Sequence, residues 1–281
     1  MKVKKADGIG FCMGVRRAID ILEKISTERG GVETLGAVVH NQQVLRRLDQ
    51  IGVRIVNSIS EMQGNIVVVS SHGVGPKVVE EIKSRNIEMV DTTCPFVKRA
   101  QVAARRLAES DFFTIVFGDV DHPEVKGILS WAGDEGIATQ DATTFTDIKN
   151  PPRHLGVLSQ TTQVPAEFAR FTTEIIKRVL IKDSEIRIID TICHDIRRRQ
   201  VDSLNLAKES EIVLVVGGQT SANSRHLYEL CANITETHLV ETASEVKKSW
   251  LKGKHQIGVT SGASTDEHTI DDVISRLESM D

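Results

Sequence analysis

Cys12, Cys94 and Cys193 are three soft sulfur ligands at similar points of the chain. Thiolates of this kind bind zinc or iron–sulfur clusters. Two of them end the same pattern: Ile87-Glu88-Met89-Val90-Asp91-Thr92-Thr93-Cys94 matches Ile186-Arg187-Ile188-Ile189-Asp190-Thr191-Ile192-Cys193, a β-branched run closed by Asp-Thr-x-Cys. Cys12 likewise precedes a helical stretch from about Val15 to Ser26. His40 stands 28 residues beyond Cys12, His122 28 beyond Cys94, and Ser221 28 beyond Cys193. A second polar strand end follows in each third, at His72, at Thr161–Thr162 and at Ser264. Three equal offsets point to three copies of one strand–loop–helix plan. Packed about a pseudo-threefold axis, their strand ends would converge on one cavity of thiols, imidazoles and hydroxyls.

No CxxC pair is present, so ordinary zinc-finger and thioredoxin patterns do not apply. A lone buried cysteine is usually a small apolar residue, and Cys231 in Leu230-Cys231-Ala232 reads that way. The other three open helices, where the dipole and free N–H groups favour thiolate. A [4Fe–4S] cluster usually takes four cysteines. With three, one iron keeps an open position, which marks chemistry rather than structure. A three-cysteine zinc site completed by a histidine fits the same spacing.

The histidines and hydroxyls fall at helix starts: Pro123 follows His122, and Pro76 follows His72-Gly73-Val74-Gly75, proline being favoured at the first helical position. Serine, threonine or asparagine there is often only an N-cap. Taken together, helix N-termini and histidines form an anion site, and the implied ligand is a phosphate or diphosphate ester. Glu124, in His122-Pro123-Glu124-Val125, is either a first-turn carboxylate stabilised by the dipole or a proton donor to the bound group. Arg16-Arg17 and Arg197-Arg198-Arg199 read as solvated helix faces or surface contacts.

Elements that alternate must position these groups. Short runs such as Val67-Val68-Val69, Thr114-Ile115-Val116-Phe117 and Ile212-Val213-Leu214-Val215-Val216 end in Gly, Ser, Thr or His and are followed by amphipathic stretches. Continuous apolar strands alternating with helices predict parallel sheets covered on both faces, an α/β fold. The repeat divides the chain softly near the cysteines, into residues 1–93, 94–192 and 193–281. The polar stretch from Gln140 to His154, with Pro151-Pro152, reads as a surface hairpin or loop. The chain has 281 residues, 40% apolar and 26% charged, with no apolar run near the roughly 20 residues of a membrane span and no signal-peptide core. A net charge of −4 and 4% aromatic residues give no footprint for nucleic acid. Four cysteines are too few for a disulfide scaffold. A cytoplasmic protein is expected.

The motifs Gly10-Phe11-Cys12-Met13-Gly14-Val15-Arg16-Arg17-Ala18, His40-Asn41, Ser71-His72-Gly73-Val74, Thr93-Cys94-Pro95, His122-Pro123-Glu124-Val125, Ser159-Gln160-Thr161-Thr162, Thr191-Ile192-Cys193, Gly258-Val259-Thr260 and Gly262-Ala263-Ser264 resemble, in order and over essentially the whole chain, the LytB/IspH family of 4-hydroxy-3-methylbut-2-enyl diphosphate reductases. The resemblance implies a trefoil of three α/β domains around a [4Fe–4S] cluster held by Cys12, Cys94 and Cys193, with the substrate hydroxyl on the fourth iron. It implies that His40, His72, His122, Ser221, Asn223 and Ser264 hold the diphosphate, that Glu124 delivers protons and that Thr161 orients the hydroxyl. Ferredoxin or flavodoxin would supply two electrons singly, and isopentenyl and dimethylallyl diphosphate would leave with water. The chain departs from the family pattern at Asp121, Ile196, Ala222 and Asp266: Ile196 and Ala222 each remove a hydroxyl that could contact the diphosphate, and Asp121 adds negative charge near the anion site. Three competing readings are a paralogue with another substrate, an iron–sulfur redox sensor without turnover and a three-cysteine zinc hydrolase of phosphate esters.

Overall fold

The β-branched runs form strands and the amphipathic stretches helices, in the order β1 (Lys2–Lys5), α1 (Met13–Arg29), β2 (Val32–Leu35), α2 (Gln42–Gln50), β3 (Val53–Val56), β4 (Ile66–Val69), α3 (Pro76–Ser84), β5 (Glu88–Asp91), α4 (Pro95–Ala108), β6 (Phe113–Phe117), α5 (Pro123–Trp131) and β7 (Gly136–Thr139). They continue with β8 (His154–Ser159), α6 (Pro165–Val179), β9 (Glu185–Ile189), α7 (His194–Lys208), β10 (Ile212–Val216), α8 (Ala222–Ala232), β11 (Glu236–Val240), β12 (Gln256–Ser261) and α9 (Glu267–Glu278). The computed structural model describes residues 1–133, 136–145, 152–180 and 183–280. Proline at the first helical position starts α3, α4, α5 and α6. It gives up only an N–H that would be unpaired there.

The strands make three four-stranded sheets, ordered β3-β2-β4-β5, β7-β6-β8-β9 and β11-β10-β12-β1, with parallel pairing throughout. All three follow one plan. The strand that opens each repeat lies second, the next takes one edge, the third pairs on the opening strand's other side, and the strand leading to a cysteine takes the far edge. In the third sheet that last strand is β1, whose Lys2–Lys5 pair with Gln256–Val259. The start of the chain therefore completes the sheet of its final third.

By contact density the chain forms two compact units. One comprises residues 1–23, 37–52 and 194–281 and contains the β11-β10-β12-β1 sheet. Ile212, Leu214 and Val216 pack with Ile257, Val259, Ile270, Val273 and Leu277 on one face of this sheet. Val213 and Val215 pack with Ala207, Leu227 and Cys231 on the other. The period of two explains why β10 is apolar at every position: both faces are covered. The second unit, residues 24–36 and 53–193, holds the other two sheets. There Ile115, Phe117 and Val157 face Phe168, Phe171 and Ile175 of α6, while Val116 and Leu158 face Ala100, Ala104 and Leu107 of α4.

Of the stretch read as a loop from Gln140 to His154, residues 146–151 lie outside the described residues; a 3₁₀ turn at Ala142–Phe145 precedes them and β8 begins at His154. No helix among the described residues is long and apolar enough to cross a membrane.

Candidate functional site

Parallel strands carry their loops to one end of a sheet, and here those loops hold the chemistry. His40, His122 and Ser221 each lie five residues beyond the end of a repeat's opening strand, β2, β6 and β10. His72, Thr162 and Ser264 each lie three residues beyond the neighbouring strand, β4, β8 and β12. The cysteines are fixed by one repeated hydrogen bond. The N–H of Cys12 donates to the Ala263 carbonyl, that of Cys94 to Ser71 and that of Cys193 to Thr161, at 3.0 Å in each case. Each acceptor stands two residues past a strand. The equal spacing in sequence is thus an equal position in three sheets.

In the second unit, Glu124 sits in the first turn of α5 and is 2% exposed. Its Oε1 accepts the Thr161 N–H at 2.6 Å and its Oε2 the Thr161 hydroxyl at 2.9 Å. Burial is the largest influence on this carboxyl and pushes it up to about 7, although both Thr161 bonds pull it down. Thr161 therefore links Glu124 to Cys193, since its N–H and hydroxyl hold Glu124 while its carbonyl holds the Cys193 N–H. The N-cap of α5 is His122, whose Nδ1 accepts the Glu124 N–H at 3.2 Å. That leaves the ring proton of neutral His122 on Nε2, as a donor. His72 meets the same ring edge to face, with centroids 5.4 Å apart.

In the first unit, Ser221 caps α8 and accepts the Ser224 N–H at 3.4 Å. Asn223, 4% exposed, has no hydrogen-bond partner for either amide atom among the described residues, and neither has the hydroxyl of Ser264, 8% exposed. Leaving a buried polar group unmatched costs about 1–3 kcal/mol, so these atoms suit a polar ligand better than a core. Asn223 and Glu124 occupy equivalent positions, each two residues beyond the polar group that caps its helix. His40 is held below its ordinary value, by burial first and then by the nearby charge of Arg225. Asn41, after it, caps α2 by accepting the N–H groups of Gln43 and Val44. A Cβ on Gly218 would lie 2.2 Å from the His40 carbonyl oxygen. The Gly218→Ala variant is therefore expected to lose about 1–3 kcal/mol through forced displacement of one loop, read as a lower Tm; an unchanged Tm would refute this packing.

The four cysteines differ in their surroundings. Cys231 is fully buried in the apolar layer behind β10, and burial pushes its thiol up to about 12. Cys12, Cys94 and Cys193 instead stand in the loops immediately before α1, α4 and α7. Burial also raises Cys12, but the N–H groups of Val15 and Gly14 and the charge of Arg199 oppose it. Such a thiol ionises when a cation takes its charge, as a metal ligand requires. The donor set of three cysteines in repeated positions fits an iron–sulfur group.

Two sequence expectations need correction. Arg199 is no solvated residue: it is 3% exposed and donates to backbone carbonyls. Its neighbours Arg198 and Arg16 are on the surface, paired with Asp195 and Glu267. Asp121 adds no charge to a buried anion site, because its side chain is 88% exposed and pairs with Lys126. The two other departures with a visible role are structural: Asp266 caps α9, and Ile196 is a buried apolar residue of α7.

Residues 3–278 match the family model described as LytB protein. The chain is 59% identical over 280 residues to a 4-hydroxy-3-methylbut-2-enyl diphosphate reductase of Dehalococcoides mccartyi (strain CBDB1), covering 100% of this chain and 99% of that one. It is similar, with a TM-score of 0.71, 31% identity and 99% coverage of both chains, to the solved structure of (E)-4-hydroxy-3-methyl-but-2-enyl diphosphate reductase, the terminal enzyme of the non-mevalonate pathway. The E-1-hydroxy-2-methyl-but-2-enyl-4-diphosphate reductase structure from Plasmodium falciparum shares the fold, with a TM-score of 0.90 over 97% of this chain and 86% of that one at 24% identity. Strand-end chemistry repeated in three sheets and similarity along the full length agree, and the chain belongs to the LytB protein family.

Proposed function

We propose that this protein is a 4-hydroxy-3-methylbut-2-enyl diphosphate reductase of the cytoplasm, releasing isopentenyl and dimethylallyl diphosphate. The reaction breaks the allylic C–OH bond, consumes two electrons and two protons and releases water. The observation that carries this reading is Thr161, which holds a carboxyl raised to about 7 on one side and a cysteine on the other. A proton source and a metal ligand are thereby tied to a single residue.

Cys12, Cys94 and Cys193 are the ligands of a [4Fe–4S] cluster in this reading. Bound there, a cluster with three protein ligands supplies one-electron transfer and an open Lewis-acid position. The chain's own groups do the rest. His40, His72, His122, Ser221, Asn223 and Ser264 take the diphosphate, the imidazoles through charge-assisted bonds and the unmatched Asn223 and Ser264 atoms as neutral partners. Glu124 holds the proton. In the protonated form the Thr161 N–H still occupies Oε1, so the acid proton sits on Oε2 and the 2.9 Å bond, in which the ionised carboxylate accepts from the Thr161 hydroxyl, reverses its direction. That hydroxyl accepts from Oε2 and donates onward to the substrate's departing oxygen, so Thr161 both orients the hydroxyl and relays the proton. Ferredoxin or flavodoxin delivers the electrons.

The test is anaerobic oxidation of reduced viologen by the reconstituted protein. Consumption that starts only on adding the allylic diphosphate is expected, with two electrons used per product. A loaded cluster without turnover would contradict the activity and favour a redox sensor, and zinc without inorganic sulfide would favour a hydrolase.

A further inference from the structure

The residues six beyond the three cysteines are Ala18, Ala100 and Arg199, all buried, at 0%, 0% and 3% exposed. Two repeats place a methyl group at this point of the helix and the third a guanidinium. Within the first compact unit, its Nη1 donates to the Ser261 carbonyl at 3.1 Å and its Nη2 to the Gly10 carbonyl at 3.0 Å. Gly10 precedes Cys12 by two residues, and its own N–H donates to the Ser261 hydroxyl at 2.9 Å. Ser261 closes β12, two residues before Ala263, whose carbonyl receives the Cys12 N–H. One planar fork thus spans both segments that fix Cys12.

Arg199 also acts through charge. A guanidinium stays protonated in proteins, so a fixed positive charge lies against the Gly10 carbonyl, two residues before Cys12. Asp195 lies 3.6 Å from Nη2 and is itself 25% exposed. The Nε–H of Arg199 is buried without an acceptor among the described residues. Iron–sulfur potentials respond to local charge and to hydrogen bonds at sulfur, and a cation in a buried setting favours the state that has gained an electron.

We propose that Arg199 is a positioning residue that sets the reduction potential of the cluster from the Cys12 corner, by ordering the Cys12 loop and by holding a fixed positive charge there. The inference rests on the cluster assigned under Proposed function. It makes the Cys12 corner electrostatically distinct: the helices after Cys12 and Cys94 carry a methyl group at this position, Ala18 and Ala100, and only the helix after Cys193 carries a cation, which binds beside Cys12.

The experiment is an anaerobic redox titration of the reconstituted protein followed by electron paramagnetic resonance, with Arg199→Gln, Arg199→Lys, Asp195→Asn and Arg198→Gln. Arg199→Gln is expected to move the midpoint to a more negative value, Arg199→Lys to stay nearer wild type, and Asp195→Asn to move it the opposite way. Arg198→Gln, at a side chain 66% exposed, is expected to leave it unchanged. A wild-type midpoint in Arg199→Gln, or an equal shift in Arg199→Lys, would overturn the charge assignment. If Arg199→Gln does not retain the cluster, the sign of the Asp195→Asn shift decides, and a negative or absent shift counts against the proposal. Wild-type protein that takes up no iron and sulfide would remove the functional reading and this inference together, whereas a loaded wild type with unmoved variants removes only the inference.

Discussion

Replacing Glu124 by Gln is expected to reduce turnover by about 10²–10⁴-fold, the usual contribution of a positioned proton donor, while leaving cluster content at the wild-type level. The amide preserves the shape of the site: its carbonyl accepts the Thr161 N–H, and its NH₂ donates to the Thr161 hydroxyl in place of the acid proton. The same variant should be more stable above neutral pH. A carboxyl raised from 4.5 to about 7 in the fold contributes fully below pH 4.5 and loses that contribution as pH rises to about 7. Above that it is a buried anion costing about 3 kcal/mol relative to its unfolded state. Glu124→Gln should therefore show a higher Tm than wild type at pH 8 and little gain at pH 4.5. The wild-type rate should fall as pH rises through about 7, where the acid form is lost. A variant that keeps its rate, or a rate that rises through this window, would mean that Glu124 does not donate the proton.

Serine at any one of Cys12, Cys94 or Cys193 should abolish cluster retention rather than reduce it by a third. Three thiolates are already one fewer than an iron–sulfur cube usually has, and a hydroxyl is a hard, weak ligand for it. Iron and sulfide bound per chain are expected to fall by about tenfold or more, together with activity. Cys231→Ser is the internal control: Cys231 packs behind β10, with Sγ 3.6 Å from the Ser203 carbonyl. That change should cost about 1 kcal/mol of stability, for burying a hydroxyl, and leave the cluster in place. A cluster that survives one of the three replacements but not Cys231→Ser would invert the assignment.

Much of this was legible because repetition converts spacing into geometry. A 28-residue offset from Cys94 to His122 says little alone, but its recurrence from Cys12 to His40 and from Cys193 to Ser221 reflects one α-helix and one strand of nearly constant length. Continuous apolar runs such as Ile212–Val216 announced sheets covered on both faces, as the packing around β10 shows. The placement of β1 beside β12 was not legible, because Lys2-Val3-Lys4-Lys5 carries the composition of an exposed edge, and which sheet it joins depends on a partner some 250 residues away.

Arg199 was misread for a related reason. In Arg197-Arg198-Arg199 three identical side chains stand in a row, and only the 100° step between helix positions separates a solvated one from a buried one. The helical phase of Ile196, Arg199, Gln200 and Ser203, all buried on α7, held the signal; residue type masked it. Asp121 shows the converse. Its neighbour His122 is buried at a helix start, yet Asp121 lies before the helix and points to water.

The most direct measurement is Mössbauer spectroscopy of protein reconstituted with ⁵⁷Fe, with and without the allylic diphosphate. The account predicts four irons and four sulfides per chain, with one iron of the four changing its environment when substrate is added and three staying as they were. No iron–sulfur signal, or four irons that all ignore the substrate, would contradict it.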